Sequence, residues 1–370
     1  MKTLNKAVAA SLLVALSLAC ASGGGGGSEQ TPGPQGEALA APGQNWPVKT
    51  REHVDLWLHG FAMLTTDSSQ VPFFRRGYRD QMVVFKNRAN VTTLLDSNRD
   101  SLQARFRRNP NLVSGQFLAL HFASWDEMRA FINAALLAEG DPRRAQSREG
   151  QQAMQIIAGY FPAPADREWL RRFTLALEDE SSKYYHGYWV QAQRERAEAL
   201  RVTDSVWQQV YRPKLQRYLN NTQQVSGDLI LSIPLDGEGR AITGGTSSRS
   251  NIMAVTFPAS ADSAAEAVYV VAHEAVGGLA SGVIRDNTTP AQQREGLDQR
   301  YQSAAAVLGG LMLLERSAPE LADGYARYYL RASGATPGTN PRAELAARFP
   351  LPDALRAAMG RQLDIVLGGI

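Results

Sequence analysis

His273 and Glu274 stand side by side inside an apolar stretch, Val268 to Asp286 (VYVVAHEAVGGLASGVIRD), and up to Ile284 no other side chain in it carries charge or titrates near neutrality. An imidazole beside a carboxylate can hold a metal, move a proton or hydrogen-bond in the core. In a buried helix one of these is required, because an unpartnered ionisable group is costly there. Asp262 and Ser263 precede the stretch with Glu266 three residues after the serine, the S-x-x-E pattern that satisfies the free amides of a first helical turn. Arg285, Asp286 and Asn287 mark its end, so the spacing predicts one buried helix with the pair at its centre.

An HE pair in a hydrophobic helix, with strand-like segments before it and a second helix after it, resembles the active-site helix of the zincin metallopeptidases, whose motif is H-E-x-x-H. The glutamate-ligated branch of that family is the nearest in pattern. The motif works because residues four apart share a helix face: two imidazoles grip one zinc while the glutamate polarises the bound water. The resemblance implies a metal ligand at His273 and a catalytic role for Glu274. The sequence departs from the motif at Gly277, which has no side chain to ligate with. On the following helix, where the family places a carboxylate ligand, the facing residue is Gln302, with Asp298 one turn earlier and Glu295 before it as other carboxylates. Zinc is thus the implied cofactor, its ligand set is incomplete, and catalysis is expected to be lost.

The elements that must position the pair are short. Asp228 to Leu235 (DLILSIPL) and Asn251 to Pro258 (NIMAVTFP) read as strands, with a turn at Asp236 to Gly239 and a weaker strand near Ala241 to Thr243. They predict a small antiparallel sheet before the HE helix, and the resemblance implies that its edge strand lies over the site and pairs with extended substrate. The second helix, from about Leu297 to Glu315, carries Gln302, Ala305, Ala306, Gly309 and Gly310 on one face, matched by Gly277, Gly278, Ser281 and Gly282 on the HE helix. Glycine costs about 1 kcal/mol in a helix interior, so its clustering on both predicts close backbone approach.

The rest of the chain, from Trp46 to Thr222, reads as a helical body. Gly115 to Ala138 predicts apolar helix in two pieces meeting at Ser124, with Ser124 and Glu127 as a capping box. His53 and His59 are six apart and share no helix face, and His121 sits among apolar neighbours as a core histidine. Tyr184 to Trp189 (YYHGYW) reads as an aromatic seam between helices, the alternative being a substrate-binding aromatic wall with His186 as its polar handle. Val71 to Arg79 (VPFFRRGYR) reads as a loop with arginines stacked on aromatics, and Pro213 predicts a kink in the helix from Thr203.

The N-terminus carries an address. Met1 to Lys6 is short and basic, Ala7 to Ala19 is apolar but too short to span a bilayer, and Cys20 is the only cysteine, followed by Ala21, Ser22 and five glycines. This resembles a bacterial lipoprotein signal peptide, which implies cleavage before Cys20, lipidation of its sulfur and attachment to the cell envelope. Residues 1–19 are then signal, 20–45 a lipidated flexible tether, 46–222 a helical region and 223–370 a zincin-like region. Removing Lys2 and Lys6 from the formal charge of +3 leaves about +1, which argues against nucleic acid as a partner. The expected class is α+β, predominantly helical. Three functions fit: a non-catalytic peptidase relative binding a peptide or protein partner, a metallohydrolase that takes a nitrogen ligand from His53, His59, His121 or His186, and a structural envelope lipoprotein in which His273 and Glu274 are core hydrogen-bond partners.

Overall fold

The computed structural model describes residues 45–66, 69–242 and 251–368, apart from the side chain of Asp298. Cys20, with the signal and tether, lies outside the described residues. The first half is helical: α1 (Glu52–Leu64), α2 (Tyr78–Arg88), α3 (Leu94–Arg108), α4 (Trp125–Leu137), α5 (Arg148–Tyr160), α6 (Pro164–Glu180), α7 (His186–Glu195), α8 (Ala197–Val206) and α9 (Arg212–Asn221). The second half adds α10 (Ala265–Ala275), α11 (Gly277–Asp286), α12 (Pro290–Arg294), α13 (Leu297–Ser317), α14 (Ala322–Ala332), α15 (Pro341–Arg348) and α16 (Asp353–Val366). Four strands, β1 (Val48–Lys49), β2 (Gly227–Ser232), β3 (Arg240–Ile242) and β4 (Asn251–Thr256), form one sheet in the order β1-β2-β4-β3. The fold is α+β and predominantly helical.

The sheet is mixed, which corrects the expectation of antiparallel pairing. β2 runs parallel to both β1 and β4, in register from Gly227↔Asn251 to Ser232↔Thr256, and only β3 is antiparallel, pairing Ala241 with Met253. The turn at Asp236 to Gly239 does not fold β3 back on β2, because both edges of β2 are already taken. It carries the chain to the far side of β4 instead. The unbroken apolar run of β4, buried at every position, is what a strand covered on both faces requires.

Other local expectations are refined. The segment before Ser124 is 3-10 rather than α, from Pro110 to His121, while Ser124 does cap α4, accepting from the Glu127 amide at 3.2 Å. Pro213 sits in the first turn of α9, and the preceding π turn, Trp207–Tyr211, absorbs the missing donor. Tyr185 and Trp189 are buried in the expected seam, whereas His186 is exposed and reaches Glu52 at 2.9 Å. The arginines of the Val71 to Arg79 loop do not stack on its aromatics. Arg75 instead donates to Ile233 O (2.8 Å) and Thr256 Oγ1 (2.9 Å), tying the loop to the ends of β2 and β4. The expectation that no segment after the N-terminal run approaches membrane-spanning length is corrected: Ala261–Asp286 is long and apolar enough to cross a membrane by length and composition, and 67% of its most apolar window is buried inside the protein.

The helical body and the sheet share one core. Asp55 of α1 accepts from Ser232 Oγ (2.5 Å), Trp189 Nε1 (2.9 Å) and the Ile233 amide (3.3 Å). Burial pushes its carboxyl up to about 7 against those bonds. Burial also pushes the nearby His53 imidazole down to about 4, against its hydrogen bond with Phe122 O. An acid whose folded pKa is raised binds more protons folded than unfolded, so Asp55 costs stability increasingly as pH rises from about 4 to about 7. A base whose folded pKa is lowered does the reverse, and His53 costs stability as pH falls from about 6.5 to about 4. At about 1.4 kcal/mol per unit the opposed slopes are about 4.4 kcal/mol for Asp55 and about 3.5 kcal/mol for His53, so they largely cancel. Asp55→Asn is therefore expected to steepen the acid side, where His121, also pushed down to about 4 by burial, already contributes: urea unfolding should show the variant losing about 4 kcal/mol more than the parent between about pH 7 and pH 4. Parallel profiles for the two proteins would refute the assignment.

Candidate functional site

The helix predicted across Val268 to Asp286 is two helices. α10 ends at Ala275, Val276 sits at φ −85°, ψ −8°, and α11 begins at Gly277. A ψ near zero departs from the α value of about −42°, so positions 273 and 277 do not keep the i, i+4 register a metal pair needs. Its start also differs: Ser260 and Ser263 form the capping box, and Glu266 lies 3.6 Å from Arg331 instead.

Glu274 is occupied. Its Oε1 accepts from the Gly239 amide (3.1 Å) and pairs with His273 Nδ1 (3.0 Å), and its Oε2 accepts from the Ala241 amide (3.2 Å). Gly239 and Ala241 are alternate residues, so both amides leave the same side of the chain, the outer edge of β3. The carboxylate thus fills the edge at which the resemblance would have substrate pair. Only glycine allows the approach at 239, since a Cβ there would stand 2.3 Å from Ala254 O. Burial opposes the charge on Glu274, but the bond and charge of His273, helped by the Gly239 amide, hold its carboxyl below the usual range. The mirror holds for His273: burial opposes its charge, and Glu274, with Glu238 adding, holds the imidazole above its ordinary value.

α14 closes the other side. Tyr329 stacks on the His273 ring at 5.4 Å, its hydroxyl donates to Gly237 O (2.9 Å), and Tyr328 donates to Asp236 O (3.1 Å). Tyr325 donates to Val307 O of α13 at 2.8 Å. Tyr328 and Tyr329 position the turn before β3 and Tyr325 ties α14 to α13, and sequence reasoning missed all three. Their i, i+3, i+4 spacing was the available signal.

α13 approaches where its glycines are. A Cβ on Gly310 would meet Tyr325 Oη at 2.2 Å and the His273 amide nitrogen at 3.2 Å, and one on Gly309 would meet Val276 at 3.3 Å. Gly277 and Gly278 have open space around them, so close packing explains only half of the matched patch. Gln302 is not at a ligand position: its Oε1 accepts from Ser281 Oγ at 3.2 Å. Gln302 lies eight residues before Gly310, about 12 Å along the helix at about 1.5 Å per residue. Glu295 is exposed at the end of α12, and the side chain of Asp298 lies outside the described residues.

Among the described residues the donors around His273 do not make up a zinc ligand set. The buried Nε2 of His273 has no hydrogen-bond partner among the described residues, but it stands alone. No group of three or more His, Cys, Asp or Glu among the described residues is placed to hold a metal ion. The other imidazoles are engaged elsewhere: His53 with Phe122 O, His59 with Tyr78 and Glu180, His121 with Tyr160, His186 with Glu52.

Beside Glu274 lies a cleft of about 550 Å³ between β3, α11 and α16. Gly278 and Gly282 line it, so part of the small-residue patch faces open space. Trp46 forms another wall, held in a left-handed backbone conformation (φ 60°) by Trp207 Nε1 (2.9 Å) and Gln208 Nε2 (2.8 Å), both donating to its carbonyl. No family model, curated protein or solved structure matches the chain.

Proposed function

We propose that the chain is a lipid-anchored protein of the bacterial envelope, related to the zincins in outline, which binds a peptide or protein partner in the cleft and does not hydrolyse it. The observation that carries this is the state of Glu274. A general base must be free to take a proton from water, and this carboxylate is held by two backbone amides and an imidazole, with no zinc-forming set of ligands around it among the described residues. The HE pair then serves as a pin between helix and sheet edge, while the neighbouring cleft, within the size range of ligand pockets, remains open. The N-terminal pattern ending in Cys20 supports the anchor, and the following Gly-rich segment would give the domain reach from the membrane.

The test is a block. Gly278 lines the cleft, its φ is ordinary, and a Cβ there meets nothing within 4 Å, so Gly278→Phe fills the space without straining the fold. A panel of acetylated tetrapeptides titrated into the full-length chain in detergent should reveal saturable binders, weakened at least about tenfold in the variant at unchanged thermal midpoint. Absence of any binder, or binders indifferent to the block, would overturn the reading, as would cleavage of the peptides that depends on Glu274.

A further inference from the structure

Two cations share one acceptor at the end of the sheet remote from the cleft. Arg75, in the loop before α2, and Arg196, at the junction of α7 and α8, both donate to the carbonyl of Phe257, the first residue after β4, at 2.5 and 2.6 Å. The two donating nitrogens therefore stand no more than about 5 Å apart. Arg75 also holds Ile233 O just past β2 (2.8 Å) and Thr256 Oγ1 at the end of β4 (2.9 Å), while Arg196 reaches Pro258 O (3.4 Å) and lies over the Phe257 ring at 5.3 Å. Both forks are thus fixed at the carboxyl ends of adjacent parallel strands, a common place for ligands in parallel sheets. The cleft meets β4 at its first residue, Asn251, about 20 Å away along the strand at about 3.3 Å per residue.

Neither charge has a counter-ion. Every acceptor just named is a carbonyl or hydroxyl oxygen, and neither guanidinium forms an ion pair among the described residues. The neighbouring acids are committed elsewhere. Asp55 accepts from Ser232, Trp189 and the Ile233 amide, Glu195 Oε1 accepts from Gln191 (2.9 Å), and Glu266 faces Arg331. Tyr188 is within electrostatic reach of both arginines, but burial pushes its phenol up and keeps it neutral. Burial, and after it the charge of Arg75, pulls the Arg196 guanidinium below its ordinary range. Carbonyl dipoles orient two like charges held this close and do not neutralise them.

The outer donors are unused. Arg75 Nη1 and Arg196 Nε and Nη2 donate to nothing among the described residues, and none of the three is sealed from solvent. The Nε–Nη2 edge is the one by which Arg105 grips the Asp166 carboxylate and Arg171 that of Glu168. On Arg196 the same edge is pre-set by the bonds of Nη1 and has no oxyanion to grip. Two unmatched positive charges call for a dianion, and a phosphate group carries about −1.5 to −2 near pH 7 on oxygens that suit both forks.

We propose that the pair is a binding site for a dianionic phosphate group, gripped by the Nε–Nη2 edge of Arg196 and by Arg75 Nη1. The site stands apart from the cleft and does not depend on the reading of it. Isothermal titration of the full-length chain in detergent, at constant ionic strength, should show inorganic phosphate or glycerol phosphate binding saturably and at least about tenfold more tightly than acetate. Tighter binding of glycerol phosphate assigns the site to the phosphoryl group of a larger ligand, and tighter binding of inorganic phosphate assigns it to the free ion. Arg196→Gln should abolish both. Arg196→Lys, which keeps a charge and loses the fork, should weaken them about tenfold, and it decides the matter if the glutamine variant fails to fold. Phosphate should also raise the thermal midpoint of the parent and leave that of Arg196→Gln where it is. Phosphate and glycerol phosphate binding no more tightly than acetate would overturn the inference, as would phosphate binding that neither variant changes.

Discussion

Glu274→Ala is expected to cost the full-length chain about 3 to 5 kcal/mol of stability, the range for removing one partner of a buried, hydrogen-bonded charge pair. Three groups lose their acceptor at once. The Gly239 and Ala241 amides face a space from which the carboxylate has gone, and His273 Nδ1 loses its partner beneath the Tyr329 ring. Each buried donor left unsatisfied carries about 1 to 3 kcal/mol. The turn from Asp236 to Gly239 retains the hydroxyls of Tyr328 and Tyr329, so the damage should concentrate on β3, whose amide exchange should accelerate more than that of β2. Glu274→Gln should fall between, since its one carbonyl oxygen can serve a single amide while its NH₂ meets the other. Urea denaturation with hydrogen exchange reads both effects. A loss below about 0.5 kcal/mol, or a gain, would mean that Glu274 is a strained catalytic group and not a pin.

The pair itself was legible because its surroundings were: a run of apolar residues broken only by His273 and Glu274 has few ways to be anything but a buried helix. What the pair does was not legible. That depended on the Gly239 and Ala241 amides, more than thirty residues earlier, and a local pattern does not encode which strand edge a helix will lie against. The same holds for the sheet. DLILSIPL and NIMAVTFP were recognisable as strands from composition, but their parallel pairing is a choice of partner, and the turn residues between them suggested a hairpin that the chain does not make. The small residues of α13 correctly marked a contact face and misplaced its level. Gln302 shares that face but meets Ser281, and Gly310 is what lies against His273, because α13 runs antiparallel to α10 and α11.

The second large effect falls on a cluster the sequence concealed. Glu180, at the end of α6, is fully buried, and its carboxylate accepts from Lys86 Nζ at 2.7 and 2.9 Å, faces His59 Nε2 at 3.1 Å and is bonded by Thr93 Oγ1. Lys86 also reaches Asp96 at 2.6 Å. In sequence Glu180 belongs to a helical run rich in arginine and glutamate, where nothing local marks it as buried. The π turn at Ser181–Tyr185 directly after it adds a residue to the turn and defeats a 3.6-residue reading, while bringing Tyr185 against the His59 ring at 4.4 Å. Glu180→Ala should cost about 3 to 5 kcal/mol, because it leaves an ammonium and an imidazole buried with fewer acceptors. Lys86→Met with Glu180→Leu should recover part of that loss, since it removes the ammonium together with the carboxylate while His59 Nε2 still lacks its acceptor. Acid supplies an independent check. Burial alone would raise the Glu180 carboxyl, but the bond and charge of His59 and the charge of Lys86 hold it down at about 2. A folded pKa below the ordinary 4.5 gives stability that is complete above about 4.5 and is lost as pH falls toward 2, about 3 kcal/mol at about 1.4 kcal/mol per unit. In Glu180→Gln this acid slope should disappear while the remaining pH dependence is kept. If the slope persists in the variant, the cluster does not hold the charge that its geometry assigns to it.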